Sequence, residues 1–426
     1  PYLGTQEFYN DFCDFNLSVT VPRDYLVWAT GDQTNLTSVY TDEIVKRIEE
    51  ASSLDGIIPV VDSNDIRKDG VTLKGDSLLT WKFLAKQVTD MAFAISNHYT
   101  WMSSSVMVDS STGRRSRVDA VFNSSHKDYE WVISDARKTV YYMSHRFPKW
   151  PFPFPHITVF DGLDQMEYPM MANDNPVADR AESIELTDHE IFHSMFPFYM
   201  GINETKYAWM DEGWATIGEW LISPMIDSSI VDLYGVNRYA VAAGTETDLP
   251  ITTLSTQQTG QSYFINSYPK PAMGYLYVKD MLGDALFFKG LHHYISQWNG
   301  RHPIPYDFFY AMNTGTGRNL DWFWKKWFFD DGEPDLAIGK VTTKNKRSIV
   351  TVIAKGSKPV PIDLQVEFMD GNKLTLHRTI AVWEKGAREV VLTIPGYKTV
   401  KRMELTSAHT PDANPADNIW TATSKP

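Results

Sequence analysis

Apolar positions change their period along the chain. In residues 1–116 they alternate: Phe15, Leu17, Val19 and Val21 are separated by polar residues and Pro22 closes the run, the mark of a half-buried strand. Residues 80–96 and 101–108 predict further strands, with a turn at Ser111, Thr112 and Gly113. The charged stretch 41–52 reads as a short helix or a loop. From about 117 the period becomes helical, with Tyr129, Val132, Ala136, Val140 and Met143 on one face. A Pro-rich run leads into a short strand at 156–160, where His156 is expected at the strand edge with no further role. Pro271 suits a first helical position for a segment that runs to Leu282 and stops at Gly283. Core stripes follow at Phe288, Leu291, Ile295 and Trp298, then at Leu320, Phe323, Trp324 and Trp327 in a last helix closed by Asp331 and Gly332. Beyond 337 alternation returns. Ile362, Leu364, Val366 and Phe368, a turn at Asp370 and Gly371, then Leu374 and Leu376 describe a hairpin. The pattern predicts an α+β multidomain chain: a partial N-terminal β domain (1–116), a mainly helical domain (117–336) and a C-terminal β-sandwich (337–426).

Chemistry concentrates in residues 187–219, a segment expected to open a helix at Thr187 or Asp188. His189 and His193 stand four apart in an HExxH pattern, so on a helix both imidazoles leave one face and can converge on one ion. Glu190 lies about 100° round the helix, beside the ion rather than on it, where a general base belongs. After eighteen intervening residues comes Glu212, on a segment that is itself helical by its Trp214, Ile217 and Leu221 spacing. Two His and one Glu form a three-ligand zinc set with the fourth position open, the mark of a catalytic site rather than a structural one. A bare HExxH arises by chance; the third acid at this distance is what gives the pattern weight.

Composition narrows the picture. A net charge of −13 argues against a general phosphate-binding surface, and neither a GxxxxGKS/T loop nor a basic aromatic stripe is present, so nucleic acid is not an expected partner. The single cysteine, Cys13, forms no internal disulfide, rules out a Cys-rich zinc site, and reads as an inert core or strand residue. No run of eighteen apolar residues predicts a membrane segment. The chain starts at Pro1 without Met and reads as a processed or truncated piece. The first 116 residues show no recognisable chemistry and are expected to support or wall a cleft.

With these residues in view, the chain resembles the aminopeptidase N family of gluzincin zinc peptidases. That family joins HExxH to its third ligand through eighteen residues in an Asn-Glu-Gly-Phe-Ala context, and Asp211-Glu212-Gly213-Trp214-Ala215 stands in that place. The family's further Glu, seven on, matches Glu219, which would hold a ligating imidazole in its tautomer. Its Gly-Ala-Met-Glu-Asn motif corresponds to Asp164-Gln165-Met166-Glu167-Tyr168, making Glu167, with Met166 beside it, the substrate-binding candidate that would pair with a free α-amine. The Gly-Ala and Asn positions differ. Its Tyr-x-Lys-Gly-Ala motif corresponds to Tyr268-Pro269-Lys270-Pro271-Ala272, with Pro for Gly, and makes Tyr268 the oxyanion donor. The resemblance covers about 117–336 and implies a thermolysin-like catalytic domain between the two β domains. An extracytoplasmic location is the expectation from the missing start and the family's frequent export.

The reading these observations imply is a zinc aminopeptidase acting on peptides, with one Zn²⁺ on His189, His193 and Glu212. Glu190 would move the proton of the attacking water, and Tyr268 and Glu167 would hold oxyanion and ammonium. Two alternatives stay open at the level of sequence: a zinc endopeptidase of thermolysin type, in which Glu167 anchors no amine, and a non-catalytic peptide-binding protein that keeps the zinc site. The presence of Glu190 argues against the latter.

Overall fold

A computed structural model describes residues 7–344, 347–396 and 398–422. The N-terminal alternation does form strands. Cys13–Pro22 pairs antiparallel with Leu78–Val88 in a three-stranded sheet, and Leu26–Ala29 pairs with Phe93–Ser96. Their apolar faces, with the helix Asp42–Ser53, enclose a core built on Trp28, Tyr40, Trp81 and Trp101. Cys13 is exposed at the start of its strand and free.

A six-stranded sheet carries the chain past residue 117. Its order is Met166–Tyr168, Met171–Asp174, His156–Asp161, Arg114–Phe122, Thr100–Asp109, Ile58–Val61. His156–Asp161 runs parallel to both its neighbours; the helix Tyr129–His145 makes the crossover from Arg114–Phe122. His156 is therefore not at a sheet edge. It is 3% exposed, and its Nε2 lies 2.9 Å from the carbonyl oxygen of Gly31, joining this sheet to the N-terminal strands.

Helices then stack against this sheet. Arg180–Phe192 packs on Tyr129–His145 and on Glu212–Ile226, and Pro269–Leu282, Asp284–Trp298 and Pro305–Thr316 follow. Asp188 ties the first three together: its carboxylate accepts hydrogen bonds from Thr139 Oγ1 and, at 2.9 Å, from Ser223 Oγ. Behind them Trp214 stacks on Tyr275 at 4.0 Å, in an aromatic core that includes Trp209, Phe308 and Trp327. Two sequence expectations shift here. Pro269, not Pro271, opens its helix. The last stripe is a four-residue α-helix, Asp321–Trp324, running into a wider turn, Lys325–Phe329.

The C-terminal part is a two-sheet β unit of three and four strands, with the expected hairpin Ile362–Phe368 and Lys373–Arg378. The whole is the α+β multidomain arrangement that the alternation of periods implied. Among the described residues, no helix is long and apolar enough to cross a membrane.

Candidate metal centre and substrate cleft

The helix that carries His189 begins earlier than its sequence suggests. Asp179, not Thr187 or Asp188, is the cap: its Oδ1 accepts from the N–H of Ala181 at 2.9 Å and of Glu182 at 3.1 Å. Charged residues at 180–186 hide the apolar period there, while the capping carboxylate satisfies the free N–H groups of the first turn. Thr187 and Asp188 sit inside the helix, both buried.

His189 and His193 leave this helix toward Glu212, the first residue of the helix Glu212–Ile226. Close approach of the two helices depends on Gly218, where an added Cβ would lie 2.3 Å from Phe192 Cδ2. His189 Nε2 lies 3.1 Å and His193 Nε2 3.5 Å from the same atom, Glu212 Oε2. Each Nδ1 is held from behind. Glu219 Oε2 is 2.9 Å from that of His189, and Asp211 Oδ1 is 2.7 Å from that of His193, which also faces the Phe196 carbonyl at 3.0 Å. Carboxylates behind both rings place the proton on Nδ1 and leave Nε2 as the ligand atom. Asp211 is a positioning residue that no local period reveals; its only sequence signal was its place beside Glu212.

The electrostatics fit a cation. Burial lowers His189, but hydrogen bonds to Glu212 and Glu219 outweigh it and hold the imidazole well above its usual range. Burial raises Glu212, yet His189 and His193 keep it below the ordinary carboxylate value. The ligand atoms of His189, His193 and Glu212 all lie within 4.8 Å of one another. Two imidazoles and a carboxylate suit zinc, and the remaining groups around them leave one side open to the cleft.

Glu190 points into the same space. It is 6% exposed, and its Oε2 has no hydrogen-bond partner among the described residues. Burial, with Glu167 next to it, pushes its carboxyl well above the usual range. Tyr268 arrives from the turn between Gly260–Ser267 and Pro269–Leu282; its hydroxyl donates to Glu212 Oε1 at 2.6 Å and its ring lies parallel to that of His189. A buried ion pair holds that turn: Lys270 Nζ is 2.5 Å from Asp248 Oδ1 and also donates to Leu249 O and to Asn266 Oδ1.

The other wall comes from the sheet edge. Glu167, in the strand Met166–Tyr168, is buried with its Oε1 3.9 Å from His193 Nδ1, and Met166 lines the cleft beside it. Residues 1–116, expected to support or wall a cleft, supply part of this wall. Glu7 enters the cleft, and its carboxylate groups with those of Glu167 and Glu204 within 4.8 Å. Burial, then Glu167 and Glu212, push Glu7 up to about 8. The segment is pinned across the helical domain. Thr205 Oγ1 donates to the Glu7 carbonyl at 2.7 Å, and His302 bridges Asp11 Oδ1 at 2.8 Å and Gly201 O at 2.7 Å. Neither Glu7 nor Glu204 belongs to a periodic pattern that could have singled it out. The cleft so enclosed has a volume of about 280 Å³.

Residues 162–327 match the family model described as Peptidase family M1 domain. Aminopeptidase 2, mitochondrial, of Saccharomyces cerevisiae is 20% identical over 201 residues, which are 44% of this chain and 21% of that protein. Leucine aminopeptidase 2 of Aspergillus clavatus is 21% identical over 224 residues, 47% of this chain and 36% of that protein. The chain thus matches only about a fifth to a third of the length of these relatives. The crystal structure of Legionella pneumophila aminopeptidase A in complex with aspartic acid shares the fold with a TM-score of 0.61 at 12% identity, over 90% of this chain and 42% of that one. The matched segment contains the HExxH helix, Glu212 and Tyr268, so over residues 162–327 the chain is similar to the peptidase family M1 domain, and its fold is shared with the aminopeptidase structure.

Proposed function

We propose that the chain is a zinc-dependent aminopeptidase that removes residues from the N-termini of peptides. The observation that carries this reading is the meeting of two groups in one cleft: a three-ligand set with the unpartnered Glu190 beside it, and a carboxylate wall of Glu7 and Glu167 next to His193. His189, His193 and Glu212 would hold the ion, which supplies Lewis acidity toward the attacking water and the scissile carbonyl. Glu190 takes the water proton and delivers it to the leaving amine. The Tyr268 hydroxyl turns from Glu212 Oε1 to donate to the developing oxyanion. Glu7 and Glu167 pair with the substrate ammonium and set the distance from its N-terminus to the bond that is cut. Two carboxylates closing one end support exopeptidase action over the endopeptidase alternative.

The test is a mass-spectrometric digest of one peptide with a free and with an acetylated N-terminus, with and without a zinc chelator. Chelator-sensitive, stepwise shortening of the free peptide alone is expected. Internal cuts in both peptides would replace the reading with an endopeptidase, and intact peptides beside bound zinc would remove catalysis from it.

A further inference from the structure

The cleft has a second acidic end that this reaction leaves unexplained. Glu182 and Glu185 line it, seven and four residues before His189 on the same helix, on the side away from His193 and Glu167. At a helical rise of about 1.5 Å per residue, Glu185 stands roughly 6 Å from His189 in the direction opposite to the ammonium wall. A peptide bound with its amine at Glu7 and Glu167 and its first carbonyl at the histidines therefore sends its second residue toward Glu185.

That end is built for a positive charge. Carboxylate oxygens of Glu185, Glu219 and Asp232 lie within 4.8 Å of one another. Asp232 is 2% exposed. Its Oδ1 accepts from Tyr234 N at 2.8 Å, while no N–H or O–H donor among the described residues reaches its Oδ2. Among the described residues, no Lys or Arg lines the cleft. Burial, then Asp232, Asp179 and Glu182, push Glu185 up to about 7, and burial, then Glu219, push Asp232 up to about 10. Glu219 already holds His189, which disfavours a second metal ion there. Leu186 and Tyr234 line the approach and offer apolar cover for a long aliphatic stem with a charged tip.

We propose that the cleft selects peptides whose second residue is Lys or Arg, its cation taken by Glu185 and Glu182 with Asp232 and Glu219 behind them; the inference rests on the aminopeptidase reading for its polarity. The full zinc-loaded chain is assayed on Ala-Lys-Ala, Ala-norleucine-Ala and Ala-Glu-Ala, and zinc-loaded Glu190→Gln is titrated calorimetrically with the same peptides. The lysine peptide is expected to exceed norleucine by about tenfold in both kcat/KM and affinity, and glutamate to fall below both. In Glu185→Gln and in Glu182→Gln, whose changed side chain is exposed in the wild type, that ratio should shrink toward unity. Cleavage without a lysine preference overturns the inference while leaving the aminopeptidase reading intact. A lysine preference in binding without any cleavage does the reverse. Equal affinities, or no binding of any of the three, overturn the inference.

Discussion

At the scale of single residues, the cleft assigns separable tasks to carboxyl groups that look alike in the chain. Glu190 has a free oxygen and stands beside the His189, His193 and Glu212 set rather than in it, so Glu190→Gln should keep zinc but lose about 10²-fold or more in turnover, checked by metal analysis beside kinetics. Tyr268→Phe removes a hydroxyl that rests on Glu212; a loss of roughly 10²–10³-fold in kcat with little change in KM is expected, and an effect confined to KM would take Tyr268 out of the oxyanion role. Asp174 tests burial directly. It is buried, accepts from Thr187 Oγ1 at 3.2 Å, and burial pushes its carboxyl from 3.8 up to about 7. A raised acid contributes stability that is present below its unfolded value and lost as pH climbs through the folded one. In chelator, Asp174→Asn should therefore leave the thermal midpoint nearly unchanged at pH 4 and raise it at pH 8, by the equivalent of roughly 2–4 kcal/mol. An equal shift at both pH values would show that packing, not ionisation, sets the difference.

At the scale of elements, the site depends on how two helices and one turn are held. Glu219 and Asp211 fix the imidazoles from behind, so Glu219→Gln and Asp211→Asn should each weaken zinc affinity by about 10–100-fold, measured by competition with a chelating dye. Unchanged affinity would make these contacts incidental. Gly218 sets the distance between the helices. Gly218→Ala should cost about 1–3 kcal/mol of stability, because its methyl meets the Phe192 ring and neither helix can retreat from the core. The HExxH helix was legible because its two histidines and one glutamate need only a helical period to be placed. Its start was not, since Asp179 precedes a stretch of mixed charge and the cap, not the pattern, decides where the helix begins.

At the scale of the molecule, the C-terminal β unit and the helices share one apolar core, which runs from Val106 through Trp327 to Leu405. Polar contacts join them as well: Tyr277 donates to the His409 carbonyl at 2.6 Å, Trp327 Nε1 to Pro359 O at 2.8 Å, and Lys358 Nζ to Asp330 O at 2.8 Å. A chain ended at residue 336 should expose Tyr277 and Trp327 and lose cooperative melting. Retained cooperative melting of the shortened chain would mean that the helical part folds by itself. The N-terminal strands act on the site in the same long-range way, since they and the His302 bridge deliver Glu7 to the cleft.

Periodicity and spacing carried the order of β, helical and β segments, the HExxH helix and Glu212 beside it, because each rests on side chains that one element or two neighbouring helices can align. Resemblance to known motifs added Glu167, Glu219 and Tyr268, and the structure brings all three to the same cleft. Glu7, Glu204, Asp211 and the acidic end at Glu185 and Asp232 were beyond that reach. Their carboxylates gather only when distant segments pack, and a charge in an aperiodic stretch looks solvent-exposed until tertiary structure buries it. The same physics made a buried joint of His156, which alone in a strand of apolar neighbours looked like an edge residue, and which the twofold parallel pairing of that strand places inside.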